Sequence, residues 1–292
     1  MRPMMQYLEA IKNNPWIRLM RFDKPIGIFL LLWPTYWGLW FASSGQPSQE
    51  NILIFTLGVI VMRAAGCVIN DYADRFVDGA VKRTMHRPLP AGEITPKQAL
   101  IVFFGLLFTA LALVLQTNPM TVKLAMVGVL LVAGYPFLKR ITHLPQLGLG
   151  VAWAWAVPMA FAAQQQALPL GLWLVFTAII LWTVAFDTYY AMVDRADDLT
   201  VGIKSTAILF GKRDLVIIAG LQVAALLFLA LAGHYFNRGW IYGLGLAVAA
   251  GYFVSQQLHA RARNIEGCLK AFLNNHRVGM AVFIGLALDY SF

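Results

Sequence analysis

Apolar residues along this chain fall in long runs, broken by short clusters of Gly, Pro, Asn and charged residues. A helix needs about 20 apolar residues to cross roughly 30 Å of hydrocarbon. Runs of that order recur at about 26–44, 51–70, 99–116, 122–138, 147–164, 170–190, 215–234 and 239–258. A ninth, at about 269–289, is weaker because its continuous apolar part, Val278 to Leu288, is short. The pattern predicts an all-α, polytopic membrane helix bundle of nine spans, built as a single membrane-embedded domain over residues 1–292. Ahead of the first span, residues 1–25 are mixed and basic, without the compact apolar core of a cleavable signal. Leu8, Ile11, Trp16, Leu19 and Phe22 recur there at roughly helical spacing, which predicts a helix lying in the membrane interface.

Composition leaves little room for a soluble protein. Hydrophobic residues make up 59% of the chain and charged residues 13%, against about 25% charged in ordinary globular domains. Mean hydropathy is +0.65. Cys67 and Cys268 show no metal-ligand or disulfide spacing and read as packing residues. His86, His143, His234, His259 and His276 show no zinc spacing, and Trp33, Trp37 and Trp40 read as interface belts or packing.

The net charge of +9 is informative through its distribution. Arg2, Lys12, Arg18, Arg21 and Lys24 precede the first span; Arg75, Lys82, Arg83, Arg87 and Lys97 follow the second. Lys139 and Arg140 follow the fourth, Arg195, Lys204, Lys212 and Arg213 the sixth, and Arg261, Arg263, Lys270 and Arg277 the eighth. All twenty fall on one side; the opposite loops hold only Lys123 and Arg238, and Arg63 lies inside a span. The positive-inside rule then predicts a cytoplasmic N-terminus. Nucleic acid is not needed to explain the charge.

Acids are scarce, 14 in all, and half of them gather at the cytoplasmic ends of two spans. The first group is Asp71, Asp74 and Asp78, with Asn70; the second is Asp187, Asp194, Asp197 and Asp198. Asn70, Asp74 and Asp78 share one face if the second span continues as a helix, and Arg63, close to two turns earlier, shares it too. Asp187, Tyr190, Asp194 and Asp198 form a similar stripe. Like charges one turn apart repel, so such rows call for a cation. Carboxylates with an amide oxygen suit Mg²⁺, which combines one or two carboxylates with phosphate oxygens and water. Two rows, each followed by basic residues, suggest metal ions clamping a diphosphate, and an internal duplication of a four-helix unit.

These residues resemble a known family. Asn70-Asp71-x-x-Asp74-x-x-x-Asp78 and Asp187-x-x-Tyr190-Ala191-x-x-Asp194-x-x-x-Asp198 look like the two signature motifs of the UbiA superfamily of intramembrane prenyltransferases. Within it, Arg21-Phe22-Asp23-Lys24-Pro25-Ile26-Gly27, Lys82-Arg83-Thr84-Met85-His86-Arg87-Pro88-Leu89 and Gly134-Tyr135-Pro136-Phe137-Leu138-Lys139-Arg140 are most similar to bacterial 4-hydroxybenzoate polyprenyltransferases. The resemblance implies a central cavity capped by cytoplasmic loops, and Mg²⁺-assisted loss of diphosphate from a polyprenyl diphosphate. It further implies that the ring carbon ortho to the hydroxyl of 4-hydroxybenzoate attacks the resulting allylic cation, a step of ubiquinone biosynthesis at the bacterial inner membrane.

Carried over by position, the resemblance makes Asn70, Asp74, Asp78, Asp194 and Asp198 the metal ligands. Asp71, Asp74, Asp194 and Asp198 become the catalytic acids. Substrates would meet Arg63, Asn70, Lys82, Arg83, Arg87, Lys139, Arg140, Asp187, Tyr190 and Lys204, with Arg63 and Arg140 as candidates for the acceptor carboxylate, or either of them for the diphosphate. No protein partner is implied. Another acceptor, such as dihydroxynaphthoate, homogentisate or haem, would need the same two motifs. A secondary transporter would also hold intramembrane acids, but near the midplane rather than at one end of two parallel spans.

Overall fold

The helix starts follow the polar residues that interrupt the apolar runs. The computed structural model describes residues 13–80 and 84–292. Ser48 Oγ accepts from Asn51 N at 3.1 Å and opens one helix; Thr95 with Gln98 forms a capping box ahead of Pro96. Asn118 caps the helix that begins at Pro119, and Asn264 the last one. The resulting helices are α1 (Pro15–Leu19), α2 (Ile26–Ala42), α3 (Gln49–Asp74), α4 (Pro96–Val114), α5 (Pro119–Gly134), α6 (Leu138–Ile141) and α7 (Pro145–Ala154). They continue as α8 (Ala156–Gln165), α9 (Leu170–Val201), α10 (Thr206–Phe210), α11 (Asp214–Tyr235), α12 (Trp240–Ala260) and α13 (Ile265–Ser291).

Among the described residues, seven helical segments are long and apolar enough to cross a membrane: Gln49–Asp74, Pro96–Val114, Pro119–Ile141, Pro145–Gln165, Leu170–Val201, Thr206–Tyr235 and Ile265–Ser291. The chain is a multi-pass membrane protein. α2 is a shorter apolar helix, and α12 adds 21 residues beside the others. The weak ninth stretch of the sequence is thus the core of a 27-residue helix, Ile265–Ser291. Its charged first turns had hidden its length. The fifth span is broken at Trp155 into α7 and α8, where Pro158 has no N–H to give to the carbonyl of Ala154.

The main core lies between α2, α8, α9, α11, α12 and α13. Trp37 stacks on Trp182 with ring centroids 5.3 Å apart, and its Nε1 donates to the carbonyl of Gly279 at 3.1 Å. It is a packing residue rather than an interface anchor. α12 and α13 approach through Gly245 and Gly285, where a Cβ on Gly285 would fall 2.8 Å from the Cα of Gly245. Small residues permit this contact where no water drives helices together. Of the N-terminal segment, Leu8 and Ile11 lie outside the described residues. Leu19 is fully buried against Ala65, Val68 and Phe103, while Trp16 and Phe22 stay exposed.

Between α2, α3, α4, α5, α7, α8, α9 and α13 is a cavity of about 1620 Å³, larger than the roughly 300–1,000 Å³ of ordinary small-molecule pockets. On α3 its lining runs from Ile54 to Asp71, about 25 Å of helix. The wall made by α4 and α5 is thin: Phe104 and Phe108 line the cavity and are also largely exposed.

Candidate active site

The polar end of this cavity is assembled from the end of α3, the segment after it, the turn before α2 and the later part of α9. Asp71 is fully buried, a position a carboxylate tolerates only with partners. Arg21 Nη2 donates to its two oxygens at 2.8 and 3.0 Å, and Arg87 Nη1 donates to Oδ1 at 3.1 Å. The same Arg87 nitrogen reaches Asp78 Oδ2 at 2.7 Å. One guanidinium therefore ties two acids of the first motif together.

That tie explains a departure from the expected row. α3 ends at Asp74, and Asp78 sits on a 3-10 turn, Asp78–Ala80. Asn70, Asp74 and Asp78 therefore do not continue down one helix face. Three stacked acids would repel; the turn instead delivers Asp78 to Arg87, and Thr84 Oγ1 donates to the carbonyl of Asp78 at 2.9 Å. Asp74 is buried at the helix end, with Oδ2 bonded to Lys139 Nζ. Its Oδ1 is buried without a hydrogen-bond partner.

The second row remains on one helix. Asp187, Tyr190, Asp194 and Asp198 all lie within α9, which runs to Val201. Asp187 and Tyr190 line the cavity, and Tyr190 packs on Phe272 with centroids 4.8 Å apart. Asp194 and Asp198 lie one and two turns further toward the end of α9 and are half-buried. Among the described residues, no three His, Cys, Asp or Glu side chains converge on one point.

The remaining predicted residues divide. Arg63 and Asn70 line the cavity with Asp71 and Arg87. Arg63 Nη1 donates to the carbonyl of Met20 at 3.4 Å. Gly27 makes room for it: a Cβ there would fall 2.6 Å from Arg63 Nε. Arg140 instead donates to the carbonyl of Ala73, and Lys204 Nζ to that of Ile141 at 3.1 Å. Neither is among the residues lining the cavity. Lys82 and Arg83 lie outside the described residues.

Several lining residues carried no individual role in the sequence reading. Arg18, Arg21, Asp23 and Lys24 close one side of the polar end. Arg18 bonds both carboxylate oxygens of Glu93 at 3.0 and 2.9 Å and the carbonyl of His86. Asp23 Oδ1 is buried without a partner. Arg21, Asp23 and Lys24 had a sequence signal in the Arg21–Gly27 segment and Arg18 only in the charge distribution; that Arg21 meets Asp71, fifty positions away, has no local signature.

The UbiA prenyltransferase family model matches residues 31–282. The chain belongs to this family. A curated relative from Saccharophagus degradans, named 4-hydroxybenzoate octaprenyltransferase, is 54% identical over 274 residues, covering 94% of this chain and 92% of the relative. Among solved structures, the apo form of a UbiA homolog from Aeropyrum pernix K1 matches with a TM-score of 0.79 at 24% identity, covering 90% of this chain and 97% of the homolog. A UbiA homolog from Archaeoglobus fulgidus bound to GPP and Mg²⁺ matches with a TM-score of 0.73 at 18% identity, covering 95% and 99%. At these identities the two structures establish the UbiA fold of this chain.

Proposed function

We propose that this chain transfers a polyprenyl group from polyprenyl diphosphate to the ring carbon ortho to the hydroxyl of 4-hydroxybenzoate, releasing diphosphate, in ubiquinone biosynthesis. One observation carries the reading: a single cavity joins an end rich in Asp and Arg to a long apolar trench. A diphosphate suits the first and an isoprenoid tail the second. The curated relative's name agrees with it.

The chain's own groups fit each part of the reaction. Arg21, Arg87 and Lys139 now neutralise Asp71, Asp78 and Asp74. An arriving diphosphate would compete for these cations and leave the acids to a metal. The orphaned Oδ1 of Asp74 is an acceptor that a divalent cation would satisfy, and Asn70, Asp78, Asp194 and Asp198 would have to be drawn toward it to complete a set of hard oxygens suited to Mg²⁺. When bound, Mg²⁺ would stabilise the charge that develops on the departing diphosphate. The apolar walls exclude water, which would otherwise quench an allylic cation, and Tyr190 offers it a π face. Arg63, a guanidinium within the cavity, is the partner for the acceptor carboxylate, a role Arg140 leaves free by bonding Ala73. The thin α4–α5 wall is a route by which a lipid-borne donor reaches the trench. The excess of Lys and Arg in alternate loops supports a cytoplasmic side for this end and for the N-terminus, in a bacterial inner membrane.

The test offers the purified chain polyprenyl diphosphate, Mg²⁺ and equal amounts of 4-hydroxybenzoate, dihydroxynaphthoate and homogentisate. Ring-prenylated 4-hydroxybenzoate as the main product is expected. Prenylation of another acceptor in preference would overturn the assignment while keeping the chemistry.

A further inference from the structure

The two acidic rows are held in place differently. In the first, Arg21 and Arg87 from the cavity lining hold Asp71 and Asp78, and Lys139 holds Asp74. The second has a support outside the cavity, which neither the motifs nor the chemistry above uses. Asp214, the first residue of α11, is completely buried. Its carboxylate accepts from Arg195 Nη2 at 2.5 Å, from Arg263 Nε at 2.9 Å and from Leu215 N at 2.7 Å. Arg263 follows the end of α12 with a positive φ of 53° and also donates to the carbonyl of Lys212 at 3.0 Å. One buried acid thus joins α9, α11 and the turn between α12 and α13.

The joint to α9 falls inside the second motif. Arg195 directly follows Asp194 and lies three residues before Asp198. Successive residues on a helix are set about 100° apart. With Arg195 pinned to Asp214 on the side of α11, the rotation of this part of α9 is fixed, and with it the direction of its acids. Met192, Ala207, Ile218 and Cys268 pack into one apolar cluster of the same region, and the carboxylate itself is fully buried. Removing it would strand a partly buried guanidinium beside Asp194.

We propose that Asp214 is a positioning residue for the diphosphate site: acting through Arg195, it sets the direction in which Asp194 and Asp198 face the substrate. This rests on the prenyl-transfer reading above. Arg263 touches the same carboxylate but belongs to another helix end, so it contributes to stability and not to the aim of the acids.

The test compares Asp214→Asn, Arg195→Lys and Arg263→Gln in the full chain in detergent. The readouts are steady-state kinetics, calorimetric binding of inorganic diphosphate with Mg²⁺, and thermal unfolding. Asp214→Asn is expected to raise the KM for polyprenyl diphosphate and weaken diphosphate binding by about tenfold, with the KM for 4-hydroxybenzoate unchanged. Arg195→Lys, which keeps the charge but loses the fork, shows the same pattern with a smaller rise. Arg263→Gln lowers the melting temperature and leaves the donor KM at the wild-type value. Wild-type diphosphate affinity in Asp214→Asn, or parallel changes in both KM values, would overturn the proposal. If Asp214→Asn does not fold, Arg195→Lys decides: an unchanged donor KM sinks the idea. A wild-type chain that forms no product would count against the prenyl-transfer reading instead.

Discussion

Asp74 ends α3 with one carboxylate oxygen on Lys139 and the other buried and unpaired, an arrangement that costs stability and is explained by a ligand that completes it. Asp74→Asn keeps the shape and removes the charge; product formation should fall on the order of 100-fold or more with the melting temperature preserved. Arg21→Gln leaves the buried Asp71 to Arg87 alone. It should cost about 2 kcal/mol, seen in detergent melting curves, and raise the donor KM. The acids themselves were readable from sequence, because 14 acids in a chain this apolar make any cluster conspicuous. Their partners were not. Arg21 and Lys139 reach Asp71 and Asp74 across 50 and 65 positions, and only tertiary packing creates such pairs.

Helix boundaries show the same division between local and distant causes. Ser48, Thr95, Asn118 and Asn264 mark helix starts through bonds to backbone N–H groups within three residues, a local cause that sets each start two to four residues ahead of its apolar run. The end of α3 is different: nothing near Asp74 breaks the helix, and the turn to Asp78 follows from Arg87. Close approaches between helices are likewise set by distant residues. Gly27→Val would push its side chain onto Arg63, and the acceptor KM should rise about tenfold for one weakened charged bond while the donor KM stays put. Gly245→Leu would drive α12 from the backbone of α13 at Ala281 and Gly285. Overpacking of that kind costs about 1–3 kcal/mol, measurable as a lower melting temperature with wild-type kinetics in the protein that remains folded.

At the scale of the whole molecule, the hydrophobic pattern and the twenty-to-two charge asymmetry carried both the membrane class and the expected orientation. The cavity could not be read in the same way, because its walls come from helices spread along the whole chain and their apolar residues look like any membrane-facing ones. Orientation has its own check: Asn237→Cys should react with an impermeant maleimide on spheroplasts, and Arg213→Cys only after the membrane is opened. The central claim is that the two acidic rows act together on a prenyl diphosphate. Its most direct measurement is product formation from 4-hydroxybenzoate, polyprenyl diphosphate and Mg²⁺ by the wild-type chain and by Asp74→Ala and Asp194→Ala. The account predicts ring-prenylated product from the wild type, abolished by a chelator and by either substitution. Undiminished product from both variants would contradict it.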